Sequence, residues 1–377
     1  MMKKIFLVLF FFSIVFPATV AAQGESDASP AGDRIFKAEV IKIIEEKNIE
    51  REDGSTALQQ NLLLRGLEKE WQNKEFEFFG ISDLDMMSAN TYQAGDRVMV
   101  SEVMSVDGET DYYVESLVRS GCLFWLALIF CFVIIAIGKK KGVKSLISLV
   151  VSFFIIIKFI IPEIIKGASP LTAGVIGALV ILAVIIYLTE GWNKKSHIAV
   201  VSVFFSLLIT FFLSWIFTHF TRLTGLAQEE AVFLLGANNG SIDFRGLLLT
   251  GILIGTIGVL DDVIVSQVES VRQIRKANPN LTTGQVFKSA YEVGNTHLGA
   301  IVNTLFLTYA GASLPLLLLF YMNPSGAVSF TQVINHETIA TEIVRTLVGS
   351  IGVALSMPIS TFLAAVWLKE KTSSIDK

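Results

Sequence analysis

Two adjacent carboxylates, Asp261 and Asp262, stand in an otherwise apolar stretch, and they are the side chains here best placed by type to do chemistry. On a helical wheel of about 100° per residue, Gly251, Gly255, Gly258, Asp262, Ser266 and Glu269 fall within about 80° of arc. Glycines on one helix face let a neighbouring helix approach closely. An acid continuing that face is held in the protein interior, where its charged form is penalised, which suits it to proton uptake or cation binding. A second polar stripe follows: Glu292, Asn295, Gly299 and Asn303 also share about 80° of a helix, with Thr296 and His297 at its entry. His297 can relay a proton, although a lone interfacial histidine is more often a hydrogen-bonded structural group. Asp261, Asp262, Ser266, Glu269, Glu292, Asn295, His297 and Asn303 are thus the expected path for a coupling ion or substrate, with Gly251, Gly255 and Gly258 as helix-packing positions.

Other chemistries lack residues. There is no HExxH, GxSxG or paired-cysteine motif, so metalloprotease, serine hydrolase and thiol redox readings fall away. Ser266 near Asp262 has no histidine or lysine to activate it. Glu45, Glu46, Glu50, Glu52 and Asp53 lack the spacing of a calcium loop and read as solvated turn charges. No enzyme activity, metal or cofactor is expected. A net charge of −4 and the lack of a basic tract in the N-terminal part argue against nucleic acid.

The elements that must position these residues are membrane helices. The chain is 52% hydrophobic and 17% charged, too apolar for a water-facing surface. From Gly121 onward, apolar runs predict seven spans at 121–138, 145–165, 170–189, 197–218, 246–264, 298–321 and 340–367. The first four (121–218) are almost purely apolar and read as scaffold; Lys158 and Glu163 are near enough to a span end to snorkel. Spans five to seven (246–368) carry the polar groups, with a cytoplasmic helix over 265–297 interrupted at Asn278-Pro279 and restarted by Thr282-Thr283. Glu342 and Arg345 form an i, i+3 pair near the outer end of the seventh span, and Pro358 kinks it. The outer loop, 219–245, includes a semi-apolar stretch over 223–240 read as a surface helix.

Upstream, residues 1–22 have the form of a signal peptide: Lys3 and Lys4, an apolar run, then Val20-Ala21-Ala22, with cleavage expected after Ala22. Residues 23–120 form a β-rich extracytoplasmic domain. Alternation over 34–46, 61–67 and 97–104, with an Asp107-Gly108 turn before 111–117, predicts five or six short strands in a small OB-like or adaptor-type barrel. Cys122 and Cys131 fall in the first span, so this domain holds no disulfide. An odd span count then puts the C-terminal tail, 369–377, in the cytoplasm of a cell-membrane protein. The basic residues agree: Lys139, Lys140, Lys141, Lys144, Lys194, Lys195, Arg272, Arg275, Lys276, Lys288, Lys369 and Lys371 lie inside, against Lys166, Arg222 and Arg245 outside. The fold class expected is an all-α membrane bundle with a small N-terminal β-barrel-like domain.

Gly236-Ala237-Asn238-Asn239-Gly240, the stretch from Gly251 through Gly255 and Gly258 to Asp261-Asp262, Ser266, and Glu292-Val293-Gly294-Asn295-Thr296-His297 together resemble the YibE/F-like family of bacterial membrane proteins. The resemblance extends over most of the chain and implies little biochemistry. More distantly, a glycine-rich inward span ending in an acid, a charged cytoplasmic helix and a polar span back out look like part of a SecF or RND-type transmembrane half. There an intramembrane acid couples proton flow to an exported domain; here that domain precedes all the spans and no second half follows. The leading expectation is an ion- or proton-coupled transporter or exporter. The alternative is a non-transporting partner or sensor whose β domain binds an envelope component or another membrane protein. The partners expected are the lipid bilayer and a second copy of this chain or another membrane protein.

Overall fold

A computed structural model describes residues 34–50, 56–81, 91–104, 110–237, 242–322 and 329–368. The expected signal peptide and its cleavage site, Glu52 and Asp53, the Asp107-Gly108 turn, Asn238-Asn239-Gly240 and the tail from 369 lie outside these residues. The chain divides into two compact units, the boundary falling between Ile134 and Ile135.

In the N-terminal unit, five strands form one antiparallel sheet in the order β3-β2-β1-β4-β5: β1 (Arg34–Glu50), β2 (Thr56–Gly66), β3 (Glu75–Phe79), β4 (Arg97–Met104) and β5 (Thr110–Leu117). Alternation sets the buried face: Phe36, Ala38 and Val40 on β1 meet Leu62 and Leu64 on β2 and Val98 and Val100 on β4. Register shifts at Val40/Lys42 and Ile43/Glu45 mark bulges, which bend the 17-residue β1 so that it can pair on both sides. The sheet curls until its edges meet, with Phe76 of β3 stacked 4.5 Å from Tyr112 of β5. This is a five-stranded antiparallel sheet, within the five or six strands that the pattern predicts, rolled so that its edge strands touch without pairing. Gln60 is buried within it and fully used: its amide donates to the Tyr92 carbonyl at 3.1 Å and to Glu46 at 2.7 Å, and accepts from the Tyr92 N–H at 2.7 Å.

The second unit is helical, and its helices are numbered on from the connection between the units: α1 (Ser120–Ile155), α2 (Ile161–Ile165), α3 (Pro170–Glu190), α4 (Lys194–Phe220), α5 (Glu229–Ala237), α6 (Phe244–Ala277), α7 (Thr283–Ala312), α8 (Leu314–Met322), α9 (Phe330–Asn335) and α10 (Glu337–Trp367). Among the described residues, five helices are long and apolar enough to cross a membrane, or six if the pair α7 and α8, bent by 65°, is one span. The protein is therefore membrane-integral. The difference from seven lies in the first stretch, Ser120–Ile165, which joins the first two expected spans into 46 helical residues. Lys139, at φ 49° and ψ −123°, breaks it where the sequence places the first polar loop.

Caps fix the starts of several helices. Asn193 accepts from the Ser196 N–H at 3.1 Å to start α4, and Asp243 accepts from the Gly246 N–H at 3.0 Å to start α6. Thr282 and Gln285 close a capping box on α7, as the sequence predicts. Gly225 lies at φ 83°, and a side chain there would meet the Phe244 carbonyl, so only glycine fits the turn that leads into α6. The core is built by α3, α4, α6, α7 and α10, around Leu182, Leu253, Leu260, Ile264, Ala290, Val353 and Met357. Thr256 faces Gly349, and Gln267 meets Thr361, so α6 and α10 run parallel. Gly352 receives Thr210, and α4 runs against α10.

Candidate functional site

α6 is apolar enough to need burial on one side, and the side it buries is Ile252, Leu253, Thr256, Ile257, Leu260, Val263, Ile264, Gln267, Val268 and Val271. Gly251, Gly255, Gly258, Asp262 and Ser266 lie on the opposite, exposed side. A Cβ added at Gly251 or Gly258 would meet nothing within 4 Å, and one at Gly255 would meet only the Tyr309 hydroxyl. Among the described residues, Gly255 beside Tyr309 of α7 is thus the one position of the glycine strip that makes a close helix contact. The strip is otherwise open because the branched and long apolar side chains 100° away offer more area to bury.

The two acids consequently differ. Asp262 is exposed on the glycine side. Asp261, turned 100° toward the core, is half-buried, and its Oδ1 is sealed from solvent with no hydrogen-bond partner among the described residues. Asp262 and Glu190 are within electrostatic reach of it. Among the described residues no three His, Cys, Asp or Glu side chains come close enough to share a metal ion. Two carboxylates, one of them sealed, can take a proton or a single small cation.

Glu269 sits elsewhere, in an ion-pair cluster at the far end of α6. It accepts from Lys195 at 3.2 Å, Arg272 at 3.1 Å and Gln273 at 2.6 Å, while Lys195 also holds Glu190, which Lys141 approaches at 3.5 Å. This cluster gathers charged residues from three separate polar breaks in the sequence and holds Glu269 in place. Arg275 nearby is buried and donates to the Ala365 carbonyl at 2.7 Å, tying α6 to the end of α10.

The stripe on α7 also points outward. Glu292, Asn295, His297, Gly299 and Asn303 are all exposed, while Val286, Ala290, Gly294 and Leu305 face the bundle. Gly294 is where α7 touches most closely, since a Cβ there would strike Gln267 and the Met357 sulfur. The structure thus brings Asp262, Ser266, Glu292, Asn295 and Asn303 to the open side of their helices and leaves Asp261 as the inward acid.

Polar groups in the bundle interior come from a source that reading for charge overlooks. Ser202, Ser206, Thr210, Ser214 and Thr218 recur every fourth residue along α4 and are all fully buried. Thr210 packs against Gly352 of α10, a helix that itself buries Thr346, Ser350, Ser356, Ser360 and Thr361. The fourth span is therefore not plain apolar scaffold: it carries a hydroxyl ladder, and the four-residue spacing was the signal. Ser202, Ser206 and Thr210 donate to their own backbone at i−4, which lets hydroxyls sit in an apolar seam. Ser214, Thr218 and Ser350 have no partner among the described residues. Gln267 of α6 completes the interior set, accepting from Thr361 at 2.9 Å.

Residues 126–370 match the family described as YibE/F-like protein, and the chain belongs to that family. No curated protein and no solved structure matches it.

Proposed function

We propose that this YibE/F-like membrane protein is an ion- or proton-coupled transporter or exporter, with Asp261 as the acid that takes the coupling ion and Asp262 beside it at the entrance. The observation that carries this reading is the sealed, unpartnered Oδ1 of Asp261 in a membrane-spanning helix. A carboxylate with one oxygen sealed and no donor is costly as an anion, and the cost is relieved when a proton or cation arrives. The hydroxyls of α4 and α10 and the amide of Gln267 supply uncharged polar groups in the same interior. The substrate is unassigned, and no enzymatic step is part of the reading.

The orientation proposed keeps the N-terminal β unit outside the cytoplasm, behind a cleaved signal peptide, and the C-terminus inside the cell. Convergence of Lys141, Lys195 and Arg272 in one ion-pair cluster supports a common cytoplasmic end. Length supports seven crossings. At about 1.5 Å per residue, an unbroken helix of 46 residues would reach about 69 Å, more than twice a hydrocarbon core of roughly 30 Å, so the Lys139 break divides two spans.

In proteoliposomes under an imposed proton or sodium gradient, Asp261→Asn is expected to abolish coupled flux and Asp262→Asn to reduce it only in part. Full flux through Asp261→Asn would sink the proposal.

A second reading has its own observation. Asp262 and Asn303 are exposed on stretches expected to lie in the membrane, and Ser266, Glu292 and Asn295 continue the same faces beyond it. Polar groups there need cover by protein or water. A non-transporting partner or sensor role, with this face against another chain, accounts for them without ion movement. In that case deleting residues 24–118 should destroy function while Asp261→Asn leaves it intact.

A further inference from the structure

An acid that takes an ion inside the bundle must hand it on, and one carboxylate from another helix stands within electrostatic reach of Asp261. It is Glu190, the last residue of α3. Asp262, the other charge in reach, sits on the same helix as Asp261 and faces outward. Glu190 is 14% exposed and held from two sides: one oxygen accepts from Lys195 in the first turn of α4, and Lys141 of α1 stands 3.5 Å from the other. Two ammonium groups favour its charged form.

The stronger of these partners is shared. Lys195 also donates to Glu269 of α6 at 3.2 Å, where Arg272 and Gln273 already gather. An ammonium has three donors, so Lys195 can release Glu190 and keep Glu269. Lys141 is 78% exposed and returns to water at little cost. His197, two residues along α4, is bonded to the Tyr187 hydroxyl at 2.8 Å and takes no part. A small movement of Lys195 toward Glu269 therefore turns Glu190 from a locked anion into an open acceptor. A proton arriving there replaces the charge that Lys195 has withdrawn.

A metal cation fits this arrangement poorly. It needs several oxygen ligands, whereas the sealed Oδ1 of Asp261 has no polar partner and no three His, Cys, Asp or Glu side chains gather among the described residues. On its way past Glu190 it would also meet the like charges of Lys195 and Lys141. A proton needs only one oxygen at each stop.

We propose that Glu190 is the inner acceptor of the coupling ion, that this ion is a proton, and that Lys195 gates the transfer by moving between Glu190 and Glu269. The proposal rests on Asp261 as the acid that takes the ion. In the step, the O–H bond on Asp261 breaks and one on Glu190 forms, directly or through one water, and the negative charge passes to Asp261. Glu190 then gives its proton to cytoplasmic water as Lys195 returns, which closes the path behind it.

The test uses the full chain in proteoliposomes and reads the infrared band of protonated carboxyl groups, in sodium chloride and in choline chloride. A band that Asp261→Asn removes is expected, equal in the two salts. After a rapid upward pH jump its decay should slow about tenfold or more in Glu190→Gln and recover toward wild type in Glu190→Asp. A group that merely neighbours Asp261 would move the pH midpoint of the band and leave the decay rate alone. Lys195→Met removes the gate and should speed the decay. Loss of the band in sodium chloride alone would make sodium the ion, and an unchanged decay in Glu190→Gln would take Glu190 out of the path; either result overturns the proposal and leaves Asp261 as the acid. A spectrum with no band dependent on Asp261 in either salt would instead overturn the reading on which the proposal rests. If Glu190→Gln fails to fold, Lys195→Met decides the matter, an unchanged decay there counting against the gate and the acceptor together.

Discussion

At the scale of single residues, Asp261 and Asp262 show how much one helical step decides. They share a charge, a neighbour and a depth, yet 100° of rotation puts one against the core and the other outside it. Their stability effects should differ accordingly. Asp261→Asn removes a half-buried charge with no hydrogen-bond partner among the described residues and is expected to be neutral or stabilising by about 1 kcal/mol, while Asp262→Asn should stay within about 0.5 kcal/mol, measured by unfolding in detergent. A large loss in Asp261→Asn would mean that an unseen partner pairs with it. Gly225 gives the opposite kind of sensitivity. Gly225→Ala imposes a side chain at φ 83° against the Phe244 carbonyl and should cost roughly 1–3 kcal/mol in the same assay. The acid pair itself was legible in the sequence, because charged residues in an apolar run are rare. Which of the two faces inward was not, since that depends on which side of α6 offers the larger apolar area.

At the scale of elements, the helices and most of their ends were legible, because they rest on local signals. The Thr282 capping box, the break at Asn278-Pro279 and the polar interruption around Lys139 all act within a few residues. The β unit was legible for the same reason, its alternation giving β1, β2, β4 and β5, although β3, at five residues, was too short to announce itself. Helix pairing was not legible. The glycine strip of α6 is the strongest small-residue pattern in the chain, but apart from Gly255 beside Tyr309 the close contacts are made by Gly174, Gly177, Gly294 and Gly352. The hydroxyl ladder of α4 was missed because serine and threonine carry no charge and, bonding to their own backbone, barely lower the hydropathy of the span. This gives a contrast to measure. Ser206→Ala, whose hydroxyl bonds only to the Ser202 carbonyl, should cost under about 1 kcal/mol. Gly352→Val, which drives methyl groups into Thr210, should cost roughly 1–3 kcal/mol or prevent folding. Equal costs would show that α4 and α10 are not packed as described.

At the scale of the whole molecule, the outer faces of α3, α4 and α10 expose mostly large apolar side chains, while those of α6 and α7 expose glycines and polar groups. In a membrane such a face holds polar groups only if something covers it. A second copy of this chain meeting the first through Gly251, Gly255 and Gly258 would use the smoothness of that strip. With Cys122 and Cys131 replaced by serine, Gly258→Cys is expected to form disulfide-linked dimers in membranes under mild oxidation, while a cysteine at buried Ala290 is not. Absence of dimer at Gly258 would leave a different protein, or water, as the cover.

The convergence of helix ends has a consequence of its own. Pro170 meets Thr250 at one end while Glu190 and Glu269 share Lys195 at the other, so α3 runs parallel to α6, which runs parallel to α10. Three peptide macrodipoles therefore point the same way, and their negative poles come together where Lys141, Lys195, Arg272 and Arg275 are placed. The basic residues that report orientation in the sequence thus also balance a field that the backbone itself creates. Lys195→Glu would set a third carboxylate between Glu190 and Glu269 against those poles. Its effect should exceed that of losing one ion pair, and raised salt should soften it.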